Sequence, residues 1–221
     1  MNNPTPHHQL KIDQVTCWRG DKRLFHGLSH TLNGGELVQL EGHNGAGKTS
    51  LLRILTGLSQ PEEGDVLWSG VSIFKNKDTY HRDMLYLGHK PGLKEVLTAR
   101  ENLLFYQSSL SKNLQLQDIS QALELVGLKG FENEPVGRLS AGQQRRVALA
   151  RLYLNRAIIW FLDEPFTAID KQGVAKLMNH FEQHCEQGGI VLFTSHQTVE
   201  SSKMTVRRIS LHSKPDNTEK N

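Results

Sequence analysis

The stretch Glu41-Gly42-His43-Asn44-Gly45-Ala46-Gly47-Lys48-Thr49-Ser50 limits what this chain can fold into more than any other part of it. It follows an apolar run, Leu37-Val38-Gln39-Leu40, and precedes a helical one that reaches Leu58. Strand, glycine-rich loop and helix, in that order, form the context in which a GxxxxGK(S/T) pattern marks a phosphate site. Glycines 42, 45 and 47 let the backbone curl until successive N–H groups point at one anion. The helix that follows adds its unsatisfied N-terminal donors and the positive end of its dipole. Lys48 puts a charge on the β- and γ-phosphates, and the Thr49 hydroxyl suits Mg²⁺. A Gly-rich turn that merely carries Lys-Thr is the plain alternative, and it does not account for the flanks. The expected ligand is a nucleoside triphosphate.

The rest of the composition bounds the answer. A chain of 221 residues forms one large domain, or a domain with a subdomain. Lys+Arg 26 against Asp+Glu 23 gives +3 and a pI of about 8.9, spread along the chain, which argues neither for nor against nucleic acid. Mean hydropathy is −0.46, and the most apolar run, residues 157–162, is far too short to span a bilayer. The first eight residues lack the basic and apolar regions of a signal peptide. The expectation is a cytosolic chain whose link to a membrane comes through a partner. Cys17 and Cys185 form no CxxC pair and read as reduced thiols. His180 and His184 stand at i, i+4 beside Cys185, a spacing that fits a metal or haem site and, more commonly, a solvated helix face.

Taken in order, a polar tail (1–9) leads to alternating runs at 10–15 and 24–32, then the strand before the loop. Short strands are expected at 66–68, 71–74 and 85–87. Thr98-Ala99-Arg100-Glu101 is a capping-box pattern opening a helix to about 110, and a second helix covers 117–126. Residues 88–155 read as a helical subdomain inserted in an α/β body. A buried strand at 157–162, a helix at 171–185, a strand at 190–194 and an edge strand at 206–211 restore the alternation. The tail 213–221 is polar. Strands alternating with helices imply a mostly parallel sheet covered on both faces.

Two further constellations carry chemistry. Ile158-Ile159-Trp160-Phe161-Leu162 is an apolar strand ending in Asp163 and Glu164. Asp163, at the strand's C-terminal end, is placed to hold Mg²⁺, and Glu164 is the natural general base for water attacking a γ-phosphate. Leu139-Ser140-Ala141-Gly142-Gln143 stands just before a helix at 143–154, so Ser140, Gly142 and Gln143 form a second phosphate-facing helix start. One nucleotide does not need two such segments from one chain. Two chains facing each other head to tail use both, which predicts a C2 homodimer.

Leu139-Ser140-Ala141-Gly142-Gln143, between the loop and the paired acids, resembles the signature motif of ATP-binding-cassette ATPases. Thr167-Ala168-Ile169-Asp170 is similar to that family's D-loop, and Ser195-His196 to its switch histidine. The resemblance covers about residues 10–211. It implies a P-loop NTPase cassette of α/β class with a helical subdomain and an antiparallel β part near the N-terminus. It also implies ATP and Mg²⁺ as cofactors, with His196 on the γ-phosphate, Glu164 and Lys48 as its catalytic partners, and Asp170 linking the two sites of the dimer. Longer strings, Tyr86-Leu87-Gly88-His89-Lys90-Pro91-Gly92 and Asp163-Glu164-Pro165-Phe166-Thr167 among them, resemble the cytochrome c maturation branch of the family. What that branch implies is peripheral attachment to the cytoplasmic face of a bacterial inner membrane, a CcmB-like integral membrane subunit, haem-handling partners of the CcmC, CcmD and CcmE kinds, and nominal haem export. Nucleic acid is not an expected partner: the interval from Thr49 to Leu139 has no room for the long coiled coil of chromosome-handling relatives.

Two positions depart from the family pattern. Lys90 stands where a glutamine is expected, and lysine donates but cannot accept a hydrogen bond from metal-bound water. His89 is the neighbouring substitute. Trp18 and Arg19 are the candidates for stacking on adenine, and Trp18 fits a half-buried strand position equally well.

Overall fold

Two sheets carry the chain, and the side-chain alternation along their strands explains how they pack. The computed structural model describes residues 8–108, 115–196 and 198–211. β1 (Gln9–Arg19) and β2 (Lys22–Asn33) form a long antiparallel hairpin. β3 (Leu37–Glu41) leads into α1 (Lys48–Leu55), and β4 (Glu63–Trp68) with the short β5 (Val71–Ser72) returns to the hairpin. α2 (Lys77–Asp83) and β6 (Met84–Leu87) precede three helices, α3 (Ala99–Ser108), α4 (Leu116–Leu125) and α5 (Ala141–Leu154). β7 (Ile159–Leu162), α6 (Lys171–Glu186), β8 (Ile190–Thr194) and β9 (Val206–Ser210) complete the chain. The first sheet runs β2-β1-β4-β5 and is antiparallel; the second runs β6-β7-β8-β3-β9 and is parallel throughout.

The parallel strands are buried on both faces, so they read as continuous apolar runs. Period-2 alternation still sorts their residues. Val38, Leu40, Ile159, Phe161, Ile190 and Leu192 face α1 and the antiparallel sheet in one core. Leu37, Trp160, Leu162, Val191 and Phe193 face α5 and α6 in a second. Phe181 of α6 is fully buried in that second core, where truncating such a side chain to alanine costs about 3–5 kcal/mol. A third core joins α3, α4 and α5 through Leu103, Ile119, Leu123, Val147 and Ala150.

The helix at 98 starts as its sequence indicates. The Thr98 amide donates to the Glu101 carboxylate at 2.8 Å, and the Glu101 amide donates back to the Thr98 hydroxyl at 3.1 Å. The expected end of that helix near 110 lies outside the described residues, as do 1–7 and 213–221 of the expected tails. β1 opens at Gln9, where the sequence reading has a tail, and the His8 ring stacks on Trp68 at 5.5 Å. Of the expected strand 71–74 only Val71–Ser72 pairs.

α2 is the element the sequence reading lacks. Its only buried residue is Tyr80, so no apolar period announces it. Tertiary contacts hold it instead: the Tyr80 hydroxyl donates to the Leu55 carbonyl at 2.6 Å, and the Trp68 indole N–H donates to Asp83 at 2.8 Å.

Candidate active site

The parallel register brings four strand ends to one level. Leu87 pairs with Leu162, Leu162 with Phe193, and Leu40 with Thr194. The residues just beyond these ends meet at the carboxyl edge of the sheet, the usual ligand crevice of parallel α/β folds.

The phosphate loop closes between β3 and α1. Gly47, the N-cap of α1, has φ +101 and packs against the second strand: a Cβ there would come within 3.1 Å of Leu24 and Phe25. Gly45, at φ +82, supplies the other left-handed turn. The Lys48 ammonium, largely buried, donates to the Gly42 carbonyl at 2.6 Å and the His43 carbonyl at 3.3 Å. Its charge is therefore held over the loop.

Asp163 is buried at the mouth of β7, and a hydroxyl serves each carboxylate oxygen. Thr49 donates to Oδ2 at 3.1 Å and Thr194 to Oδ1 at 2.8 Å. Thr194 also accepts from the Glu164 amide at 2.8 Å. Glu164 has φ +52, left-handed and uncommon for a residue with a Cβ. Such strain costs on the order of 1–3 kcal/mol and persists where surroundings over-determine it. Its carboxylate lies 3.5 Å from His196 Nε2, the acid largely covered and the imidazole exposed.

Asn44, Gly45, Gly47, Lys48, Thr49, Ser50, Asp163, Glu164 and His196 line one open cleft of about 230 Å³, joined by Arg19, Leu24 and His89. His89 is thus the residue that reaches the cleft from the segment after β6. Lys90 is not part of the lining. Gly42 and His43 contribute carbonyls to Lys48, while Ala46 is buried beneath the loop. Trp18 is exposed at the end of β1, with the Arg23 guanidinium 5.8 Å over its ring.

Ser140, Gly142 and Gln143 do not join the cleft. They begin α5 as a complete capping box, the Gln143 amide donating to Ser140 Oγ at 3.2 Å and the Ser140 amide to Gln143 Oε1 at 2.8 Å. A Cβ on Gly142 would sit 3.0 Å from the Ala168 carbonyl, so this segment packs against the 167–170 turn. Asp170 caps α6, accepting from the Gly173 amide at 2.7 Å.

The His180, His184 and Cys185 face is corrected from solvated to packed. His184 stacks on Trp160 at 3.7 Å and bonds the Ile158 carbonyl at 3.0 Å; His180 stacks on Tyr153 at 3.9 Å. Burial pulls the His184 pKa down to about 4 and lowers that of His180. Burial also pushes the Cys185 thiol up to about 12, and it donates to the Glu36 carbonyl. Among the described residues no three His, Cys, Asp or Glu side chains gather as a metal group.

Two residues escaped the sequence reading. Thr194 ends β8 level with Asp163 through the register of β7 and β8, which no local string signals. Arg145 is buried, its Nη1 donating to the Gly88 carbonyl at 2.8 Å and its Nη2 to those of Asp163 at 2.7 Å and Glu164 at 2.9 Å. Burial lowers its pKa, and the charges of Asp163 and Glu164 offset part of that. Its signal was a charge on the apolar stripe of Ala148, Leu149 and Leu152.

A phosphate loop, a hydroxyl-bound acid, a second acid beside an imidazole and a capped signature helix define an ATP-binding-cassette ATPase. The ABC transporter family profile matches residues 25–167. The chain is 54% identical over 202 residues to the cytochrome c biogenesis ATP-binding export protein CcmA of Escherichia coli K12, covering 91% of this chain and 96% of that one. To the CcmA of Pasteurella multocida Pm70 it is 56% identical over 194 residues, 88% of this chain and 91% of the relative. Among solved structures, an ATP-binding protein from Pyrococcus furiosus described as a putative ABC transporter superposes with TM-score 0.79 at 27% identity, covering 92% and 98% of the two chains. A dimeric cassette, MJ0796, captured after hydrolysis with ADP and Pi bound, superposes with TM-score 0.74 at 25% identity over 85% and 88%.

The chain belongs to the ABC transporter family and, within it, to the cytochrome c biogenesis ATP-binding export proteins. It is a nucleotide-binding ATPase whose hydrolysis is coupled to transport. Among the described residues no helix is long and apolar enough to cross a membrane.

Proposed function

We propose that two copies of the chain close head to tail on two ATP molecules and drive a membrane partner of the CcmB kind, with haem as the nominal cargo. The observation that carries this is the separation of the two phosphate-facing helix starts. The α1 start joins the cleft with Glu164 and His196, while the Ser140 start stands outside it. A signature segment that cannot serve its own loop is the complement a second copy needs, and the related cassette MJ0796 is solved as a dimer. In this reading residues 10–211 are the cassette and α3–α5 its helical subdomain.

Within one site, Lys48 leaves its loop carbonyls for the β- and γ-phosphates. Glu164 takes the proton of the attacking water, His196 meets the γ-phosphate, and Ser140, Gly142 and Gln143 of the second copy close the other side. Thr49 and Asp163 offer hard oxygens 3.1 Å apart, a donor set that fits Mg²⁺, which would offset phosphate charge. Asp170 links the two sites through the packed 167–170 turn. Arg19 with Trp18 stacks the adenine at the cleft's edge. Val96 is 87% exposed and Phe105 48%, beside the segment that carries His89 and Lys90. These exposed apolar side chains, with the Lys94 ammonium over the Phe105 ring, are the proposed seat for the membrane subunit on the cytoplasmic face, with CcmC, CcmD and CcmE kinds of protein handling haem beyond it.

The test is genetic and chemical together. Deleting the gene in its source organism should abolish covalent c-type haem on a stained gel, and the wild-type gene should restore it. The Glu164→Gln gene should not. Full cytochrome c content in the deletion strain would leave a transporter ATPase with a different cargo.

A further inference from the structure

We propose that Arg145 is a positioning residue for hydrolysis: its guanidinium sets the backbone of Glu164 and ties the base to helix α5. The placement is unusual for its cost. Arg145 is 5% exposed on the inner stripe of α5, and a buried cation forfeits a large hydration energy. Among the described residues no carboxylate oxygen bonds it directly: the Asp163 oxygens accept from Thr49 and Thr194, and the Glu164 carboxylate lies beside His196. Its Nε is buried with no hydrogen-bond partner. What the guanidinium gains is three backbone carbonyls, those of Gly88, Asp163 and Glu164. All three belong to the site: one is the carbonyl of the Asp163–Glu164 peptide, one that of the peptide after Glu164, and Gly88 precedes the cleft residue His89.

The Glu164 peptide is pinned at both ends. Its amide donates to Thr194 Oγ1 and its carbonyl accepts from Arg145. Between these anchors the residue keeps φ +52, which aims the carboxylate toward His196. Loss of the Arg145 anchor frees the carbonyl end, and φ relaxes toward the ordinary regions. A displacement of about 1 Å in a catalytic group costs on the order of a hundredfold in rate. The same fork links the site to α5, a rigid helix that begins at Ser140 one and a half turns earlier. In the head-to-tail dimer proposed above, on which this inference rests, Ser140 faces the partner's ATP. Arg145 therefore makes the seating of α5 on one nucleotide felt by the base acting on the other.

The experiment compares Arg145→Met, which removes every donor, with Arg145→Lys, whose ammonium reaches fewer of the three carbonyls. ATP turnover is measured per folded molecule, with KM for ATP and, in a Glu164→Gln background, ATP-dependent dimerisation. We expect kcat to fall at least about tenfold in Arg145→Met and less in Arg145→Lys, KM to stay within about twofold, and the dimer to persist. A lowered melting temperature with kcat per folded molecule within about twofold of wild type makes Arg145 merely structural and overturns the proposal. If Arg145→Met does not fold, Arg145→Lys decides: kcat lowered by more than about twofold with KM unchanged supports the role, and kcat within about twofold of wild type overturns it. The single variant Glu164→Gln separates the failures: normal turnover there removes Glu164 as base, whereas an inactive Glu164→Gln beside fully active Arg145 variants removes only the positioning role.

Discussion

At the scale of single residues, the phosphate loop makes the sharpest demand. Among the described residues the Lys48 ammonium bonds carbonyls of its own loop, so truncating it leaves the cores untouched. Lys48→Ala should keep the wild-type melting temperature within a few degrees while turnover drops by about a hundredfold or more. Phosphate release with a fluorescent-nucleotide titration measures both halves, and unchanged turnover would remove Lys48 from the chemistry. The loop residues, Asp163, Glu164 and His196 were legible because each belongs to a short pattern with a chemical reason for its spacing. Thr194 and Arg145 were not. Thr194 acts through a register match between β8 and β7 that no local string encodes, and Arg145 works through backbone carbonyls 18 and more positions away. Hydrogen bonds to backbone leave no trace in the identity of the partner residue.

Elements were legible in proportion to their apolar period. The parallel strands, α4 and α6 follow from runs and stripes that have no other use, whereas α2 is held by tertiary contacts of Tyr80, His81 and Asp83. The His180 and His184 face of α6 reads wrongly for a related reason. Histidine spacing looks alike on a wet face and a packed one, and only the neighbouring Trp160 and Tyr153 decide it. That packing makes a pH prediction. His184 has its pKa lowered to about 4 in the folded chain, against 6.5 for a free imidazole. Below pH 6.5 the unfolded chain therefore binds a proton that the folded chain refuses, so stability falls as pH falls through that window and is unaffected by this group above it. His180 is shifted in the same direction. The span for His184 is up to about 3 kcal/mol. Urea midpoints taken from pH 7.5 to 4.5 should decline in the wild type and decline less in His184→Phe, which keeps the stack on Trp160. Equal slopes in the two proteins would show that this histidine is not what acid attacks.

For the molecule as a whole, the decisive feature is that one chain holds two helix starts with phosphate-binding motifs and brings only the α1 start to its cleft. A helix start offers an anion its free backbone N–H groups, and the Ser140 hydroxyl, which accepts from the Gln143 amide in the α5 box, keeps its own proton to donate. Replacing it by aspartate separates these duties. Aspartate is as good an N-cap as serine, and its charge is favourable at a helix N-terminus, so Ser140→Asp should fold with stability unchanged to within about 1 kcal/mol. In the proposed head-to-tail dimer the same carboxylate would face the triphosphate bound to the second copy, where like charges in a dry interface repel strongly. In a Glu164→Gln background, where ATP is held without turnover, sedimentation should show a dimer that forms only with ATP. Adding Ser140→Asp should return the protein to monomer while each cleft still binds nucleotide. A dimer that survives the added charge would place the partner's ATP elsewhere, and the cleft of Lys48, Glu164 and His196 would then have to be complete within one chain.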